Sequence, residues 1–131
     1  MATTLVNVQG EGRVFNLLPS AAYTATPNTQ QLSGTGRSTA MVVAMNMTAV
    51  TATGTVTLKV EGFDPLSGAT WPIVTSTAVA ATGMTVLKIS PGNTPVTNVA
   101  VSDILPPVVN ITATHGNAVA MTYTLSAHIT N

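Results

Sequence analysis

The chain has 131 residues, 45% of them hydrophobic and only 6% charged, with four basic and four acidic side chains that cancel. That length suits one domain with its own core, and the hydrophobic share excludes a disordered tail. The absence of cysteine excludes a disulfide framework and thiolate metal sites, and four scattered cations exclude the basic patch that a nucleic-acid partner requires.

So low a charge leaves two readings of the surface. It is either coated in Thr, Ser and Asn and open to water, or largely covered by partner subunits.

Residues Met1 to Gly10 carry neither a basic n-region nor an apolar h-region, so no signal peptide is expected. Leu5, Val6 and Val8 are spaced for a short strand that pairs with the body or with a neighbour. Thr24 to Thr39 is rich in Thr, Gly, Ser, Asn and Gln and reads as a long loop or arm. The expected layout is one domain, with residues 1–40 as its N-terminal arm and loop and 41–131 as its body.

Alternation then takes over. Met41, Val43, Met45 and Met47 form one period-two face, and Val56, Leu58 and Val60 form another opposite Thr55, Thr57, Lys59 and Glu61. The run Met41 to Val50 is broken by Asn46 and Thr48 and is shorter than the about 20 residues of a membrane helix, so no membrane partner is expected. Asp64-Pro65-Leu66-Ser67-Gly68 reads as a hairpin loop, with Pro presetting φ and Gly supplying a positive one. A hairpin pair is expected near 55–76 and a strand at 84–90. Thr94 to Leu105 leaves an edge strand and a single helical turn both open. Beyond Leu105-Pro106-Pro107, a second hairpin pair is expected over 108–129, turned by His115-Gly116-Asn117. In its last strand Met121, Tyr123, Leu125, Ala127 and Ile129 face inward. Short strands at this spacing predict an all-β fold, an antiparallel β-sandwich of jelly-roll or Ig-like type with an extended N-terminal arm.

Chemistry-bearing residues are few. The histidines are His115, in a turn, and His128, on the polar face of the last strand, and both read as exposed polar residues. The carboxylates are Glu11, Glu61, Asp64 and Asp103. No G-x-S-x-G elbow presents a serine nucleophile, and no calcium-loop pattern surrounds Glu61 and Asp64. Asp64 reads instead as a turn former that hydrogen-bonds backbone two residues on. Gly34-Thr35-Gly36-Arg37-Ser38-Thr39 lacks the third glycine and the βαβ unit of a dinucleotide loop. Trp71, the one tryptophan, reads as a core anchor, with an exposed sugar-binding platform as the alternative. No enzyme activity, catalytic residue, metal or cofactor is therefore expected.

From Val56 to Ser126 the turns follow a recognisable grammar. Val56-Thr57-Leu58-Lys59-Val60-Glu61-Gly62-Phe63 leads into Asp64-Pro65-Leu66-Ser67-Gly68 and Trp71-Pro72-Ile73-Val74. Gly83 to Ile89, Pro91-Gly92, Leu105-Pro106-Pro107 and Met121-Thr122-Tyr123-Thr124-Leu125-Ser126 follow. This pattern, over roughly residues 40 to 129, resembles small β-rich virion proteins of tailed bacteriophages. The resemblance implies a structural role in the virion, as a head decoration (cement) protein that binds and stabilises the assembled head. A tail tube or tail-tip subunit is the alternative within that class, and a carbohydrate-binding or adhesion module the alternative outside it. The implied partners are the major capsid protein and other copies of the chain, as a homotrimer. A β body with an arm reaches such partners by strand addition, which makes Thr3, Leu5, Val6 and Val8 the candidate partner contacts.

Overall fold

The computed structural model describes residues 3–7, 13–35 and 39–130. Val8, Glu11 and Arg37 lie outside the described residues. Among those described there are ten strands and no α-helix. They are β1 (Thr3–Asn7), β2 (Arg13–Tyr23), β3 (Thr29–Ser33), β4 (Ala40–Ala49), β5 (Val56–Phe63), β6 (Thr70–Thr75), β7 (Gly83–Ile89), β8 (Ala100–Val101), β9 (Val108–His115) and β10 (Met121–Thr130).

The strands form two five-stranded sheets. The first runs β1-β3-β9-β5-β6 and the second β2-β10-β4-β7-β8. One continuous apolar core draws side chains from the inner faces of both, which makes the fold a sandwich. Period-two patterning explains the layering. Met41, Val43 and Met45 of β4 stand opposite Ile129, Ala127 and Leu125 of β10, and all six are buried. Val56, Leu58 and Val60 of β5 supply the facing layer with Ala113 and Ile111 of β9. Burying a side chain of this size removes apolar surface worth roughly 1.5–3 kcal/mol.

Several sequence expectations are met. β5 and β6 pair antiparallel as the expected hairpin, β7 fills 83–89, and β10 turns its five alternate residues inward. Thr94 to Leu105 holds an edge strand, β8.

Three expectations need correction. First, β9 and β10 do not form a hairpin. They belong to different sheets, and the turn after His115 carries the chain across the sandwich. Both strands present an alternating apolar face, which suits a same-sheet hairpin and a cross-sheet arch equally. Second, the sheets are not purely antiparallel, because β1 pairs parallel with β3 and β8 parallel with β7. Third, Thr24 to Thr39 is not one long loop. It contains β3, whose Leu32 is fully buried between β1 and β9. β2, just before it, adds Leu17 and Leu18 to the same core.

Candidate interaction surface

Where the arch leaves β9, three aromatic rings meet. His115 pairs with Val56 at the end of the inner face of the first sheet, and Tyr123 reaches it from the second. The Tyr123 hydroxyl and His115 Nε2 are 2.8 Å apart, and the Tyr23 ring packs on Tyr123 with centroids 4.9 Å apart. His115 Nδ1 is buried and finds no hydrogen-bond partner among the described residues. Burial holds the imidazole below its ordinary pKa, and burial followed by the neighbouring Tyr23 holds the Tyr123 phenol above its own. Both groups are therefore neutral at pH 7. His115 is not the exposed turn residue that the sequence suggested. It is half of a polar clamp between the two sheets.

His128 lies on the outer face of β10, with Nε2 3.2 Å from Ser126 Oγ. No strand of the second sheet carries a carboxylate that could orient this pair. Among the described residues no three His, Asp or Glu side chains converge as metal ligands would. Asp64 is the turn former expected of it. Its carboxylate accepts hydrogen bonds from the Leu66 amide at 3.0 Å and the Ser67 hydroxyl at 2.7 Å. These bonds, the Ser67 one first, hold its pKa below the usual carboxylate value.

Trp71 corrects another expectation. It is 43% exposed and stands apart from the apolar core, near the end of edge strand β6, where it lies across Gly62 of β5. A side chain that packs on a glycine can stay at the rim of the sandwich.

The outer faces of the two sheets differ in kind. On the first, polar side chains satisfy one another, across strands and along β5. Gln31 Nε2 donates to Asn110 Oδ1 at 3.0 Å, Thr29 and Thr112 share a hydroxyl contact of 3.0 Å, and Lys59 lies 3.5 Å from Glu61. On the second, the register lines up Val14, His128, Val42 and Lys88, then Asn16, Ser126, Ala44 and Val86, then Thr124, Asn46 and Met84. Lys88 is the one charged side chain in these rows, while Val14 and Met84 are 66% and 61% exposed. The sequence carried a signal of this face. Met41 to Met45 is an unbroken apolar run, as expected of a strand apolar on both sides.

Four strands end the two sheets, and an exposed strand edge invites pairing with another chain. β2 is blunted by two register shifts, with Pro19 at the first and Leu17 at the second. β6 carries Pro72 and its own shift, and Asn98 Nδ2 bonds to the Thr75 carbonyl at 2.7 Å. β8 is two residues long. β1, with sequence Thr-Thr-Leu-Val-Asn, has no proline, no charge and no register shift. Its Thr3, Thr4 and Leu5 side chains are exposed. Of the expected partner contacts, Thr3, Leu5 and Val6 therefore sit together on this open edge.

No known protein family matches the sequence, and neither characterised proteins nor solved structures give a match.

Proposed function

We propose that this chain is a structural, non-enzymatic protein of a tailed-phage virion, a decoration protein that lays the outer face of its second sheet on the major capsid protein of the assembled head. The observation that carries this reading is the set of three cross-strand rows in which Val14, Val42, Ala44, Val86 and Met84 stand among Asn, Ser, Thr and His side chains, with Lys88 the one lysine or arginine. A face of that composition, beside a first sheet whose outer polar groups are mutually satisfied, is suited to a protein surface. The phage assignment itself rests on the turn grammar from Val56 to Ser126. Binding only the assembled shell would stabilise it by mass action.

The strand order supports a jelly-roll rather than an Ig-like reading of the sandwich. Leaving out β1 and β8 and numbering the remaining eight strands in chain order, the sheets run 1-8-3-6 and 2-7-4-5. That order agrees with the double Greek key of a jelly roll, with first and last strands adjacent, whereas an Ig sandwich separates them into its A-B-E-D and C-F-G sheets. Jelly rolls occur in capsid proteins and in lectins alike, so the fold agrees with the role without choosing it.

The test is a footprint on purified particles. Met84 should oxidise readily in the free protein and resist mild peroxide on heads. Stripped heads should lose thermal tolerance and regain it when the protein is added back. Absence of the protein from particles overturns the reading, and immunogold labelling on tails replaces the head by the tail. The half-exposed Trp71 favours one reading of another class, glycan binding. Retention on a glycan surface that is lost in Trp71→Ala would establish it.

A further inference from the structure

We propose that the open edge of β1 pairs antiparallel with β1 of a second copy of this chain, about a two-fold axis through Leu5. The two sandwiches would then share one continuous sheet. The first step is elimination. Every other sheet edge is blunted by proline, register shift, side-chain cap or brevity, whereas β1 keeps one regular edge that pairs with no strand among the described residues. Natural sheets disarm edges that must not pair, so the edge left armed is the one with a partner.

The chemistry of the strand then names the occupant. A charged partner finds nothing to match, because neither β1 (Thr-Thr-Leu-Val-Asn) nor its neighbour β3 (Thr-Gln-Gln-Leu-Ser) bears a charge. A second β1 meets no like-charge repulsion and offers a self-complementary register, as a two-fold contact requires. Centred on Leu5, that register sets Thr3 opposite Asn7, Thr4 opposite Val6, and Leu5 opposite its own copy. Directly opposed residues share a face, so two leucines that are each 65% exposed would cover one another.

The seam is short, five residues a side, against roughly 20–30 a side in a standard interface. The free dimer is therefore weak and forms at high concentration. Copies held side by side on a common surface would reach that concentration locally. The inference does not depend on the virion reading, since the seam belongs to the free protein.

The test exploits the lack of native cysteine. In the proposed register, the α-carbons at position 5 lie about 4.5–5.5 Å apart, within reach of a disulfide. Leu5→Cys should give at least about ten-fold more disulfide-linked dimer under mild oxidation than Val14→Cys, an equally exposed site on the blunted β2. Sedimentation of the unaltered chain should show a monomer–dimer equilibrium that Leu5→Lys shifts to monomer without altering the melting transition. Equal cross-linking at the two sites overturns the inference. So does a trimer, which a self-complementary edge cannot build. Head binding together with equal cross-linking at the two sites would leave the virion reading intact and count against the seam alone. A cross-linked dimer that ignores heads would do the reverse.

Discussion

The indole of Trp71 occupies the space in which a β-carbon on Gly62 would have to stand. The two residues are directly paired across β5 and β6. The glycine is there to receive a ring, since no turn or unusual φ demands it.

Gly62→Ala should therefore destabilise the fold by roughly 1–3 kcal/mol, the usual cost of forcing extra atoms into a packed site. In a Trp71→Ala background the same change should cost little or help, because alanine suits a strand better than glycine. Urea unfolding of the four proteins gives the coupling directly.

Tyr123→Phe removes the partner of His115 Nε2 and leaves both ring nitrogens without a bond. A loss of about 1–3 kcal/mol is expected, the cost of an unsatisfied buried polar group. The pair also sets a pH dependence. The folded His115 pKa lies below its ordinary 6.5, so the unfolded chain takes up the proton first. Stability is complete above that value and falls as pH drops through it. The folded Tyr123 pKa is raised, so its contribution is complete below the ordinary 10.0 and falls as pH rises beyond it. Melting temperatures across pH 5–11 should show both losses, and His115→Asn should abolish the acid one.

Thr53 and Asn98 both have positive φ, 71° and 63°. Asparagine tolerates that region, whereas a β-branched threonine is strained in it. Thr53→Asn is expected to raise stability by about 0.5–1 kcal/mol. Asn98→Ala should lower it by about 1–2 kcal/mol, through the same backbone cost and the lost bond to the Thr75 carbonyl. Thermal melts of the two variants should move in opposite directions.

Asp64 offers a local readout. Its folded pKa is lowered by Ser67 and the Leu66 amide. The hairpin tip is thus secure above the ordinary 3.8 and loosens as pH falls through the lowered folded value. Amide exchange at Leu66 should accelerate over that acid range, and Asp64→Ala should show the fast rate at neutral pH.

Strands with one clean inner face were legible in the sequence. β4, β5 and β10 alternate over their whole core-facing length, and the Asp64 hairpin announces itself by residue type. β2 was not legible because its two register shifts break the alternation, so that adjacent Leu17 and Leu18 are both buried. β3 has a single aliphatic residue in five, Leu32, and owes its place to bonds with β1 and β9 that no local pattern encodes. The outer face of the second sheet was signalled only by the apolar run Met41 to Met45, for a related reason. It exists only once the register of β2, β10, β4 and β7 brings Val14, Val42, Val86 and Met84 onto one face. Thr3, Leu5 and Val6 could be singled out together in the sequence because β1 is one contiguous stretch of chain.

β10 sits between β2 and β4, and β9 sits between β3 and β5. An interior place in each sheet is therefore filled by one of the two strands that are made last of these ten. While they are still being made, the Met41–Met47 and Val56–Val60 faces have no roof, and β2 and β3 have no neighbours on the core side of their sheets. Closure must wait for long-range pairings, which are slow and leave sticky surface exposed. The hazard of unwanted self-adhesion is thus greatest during synthesis, and a nascent chain stalled before Val108 would be a collection of half-built sheets.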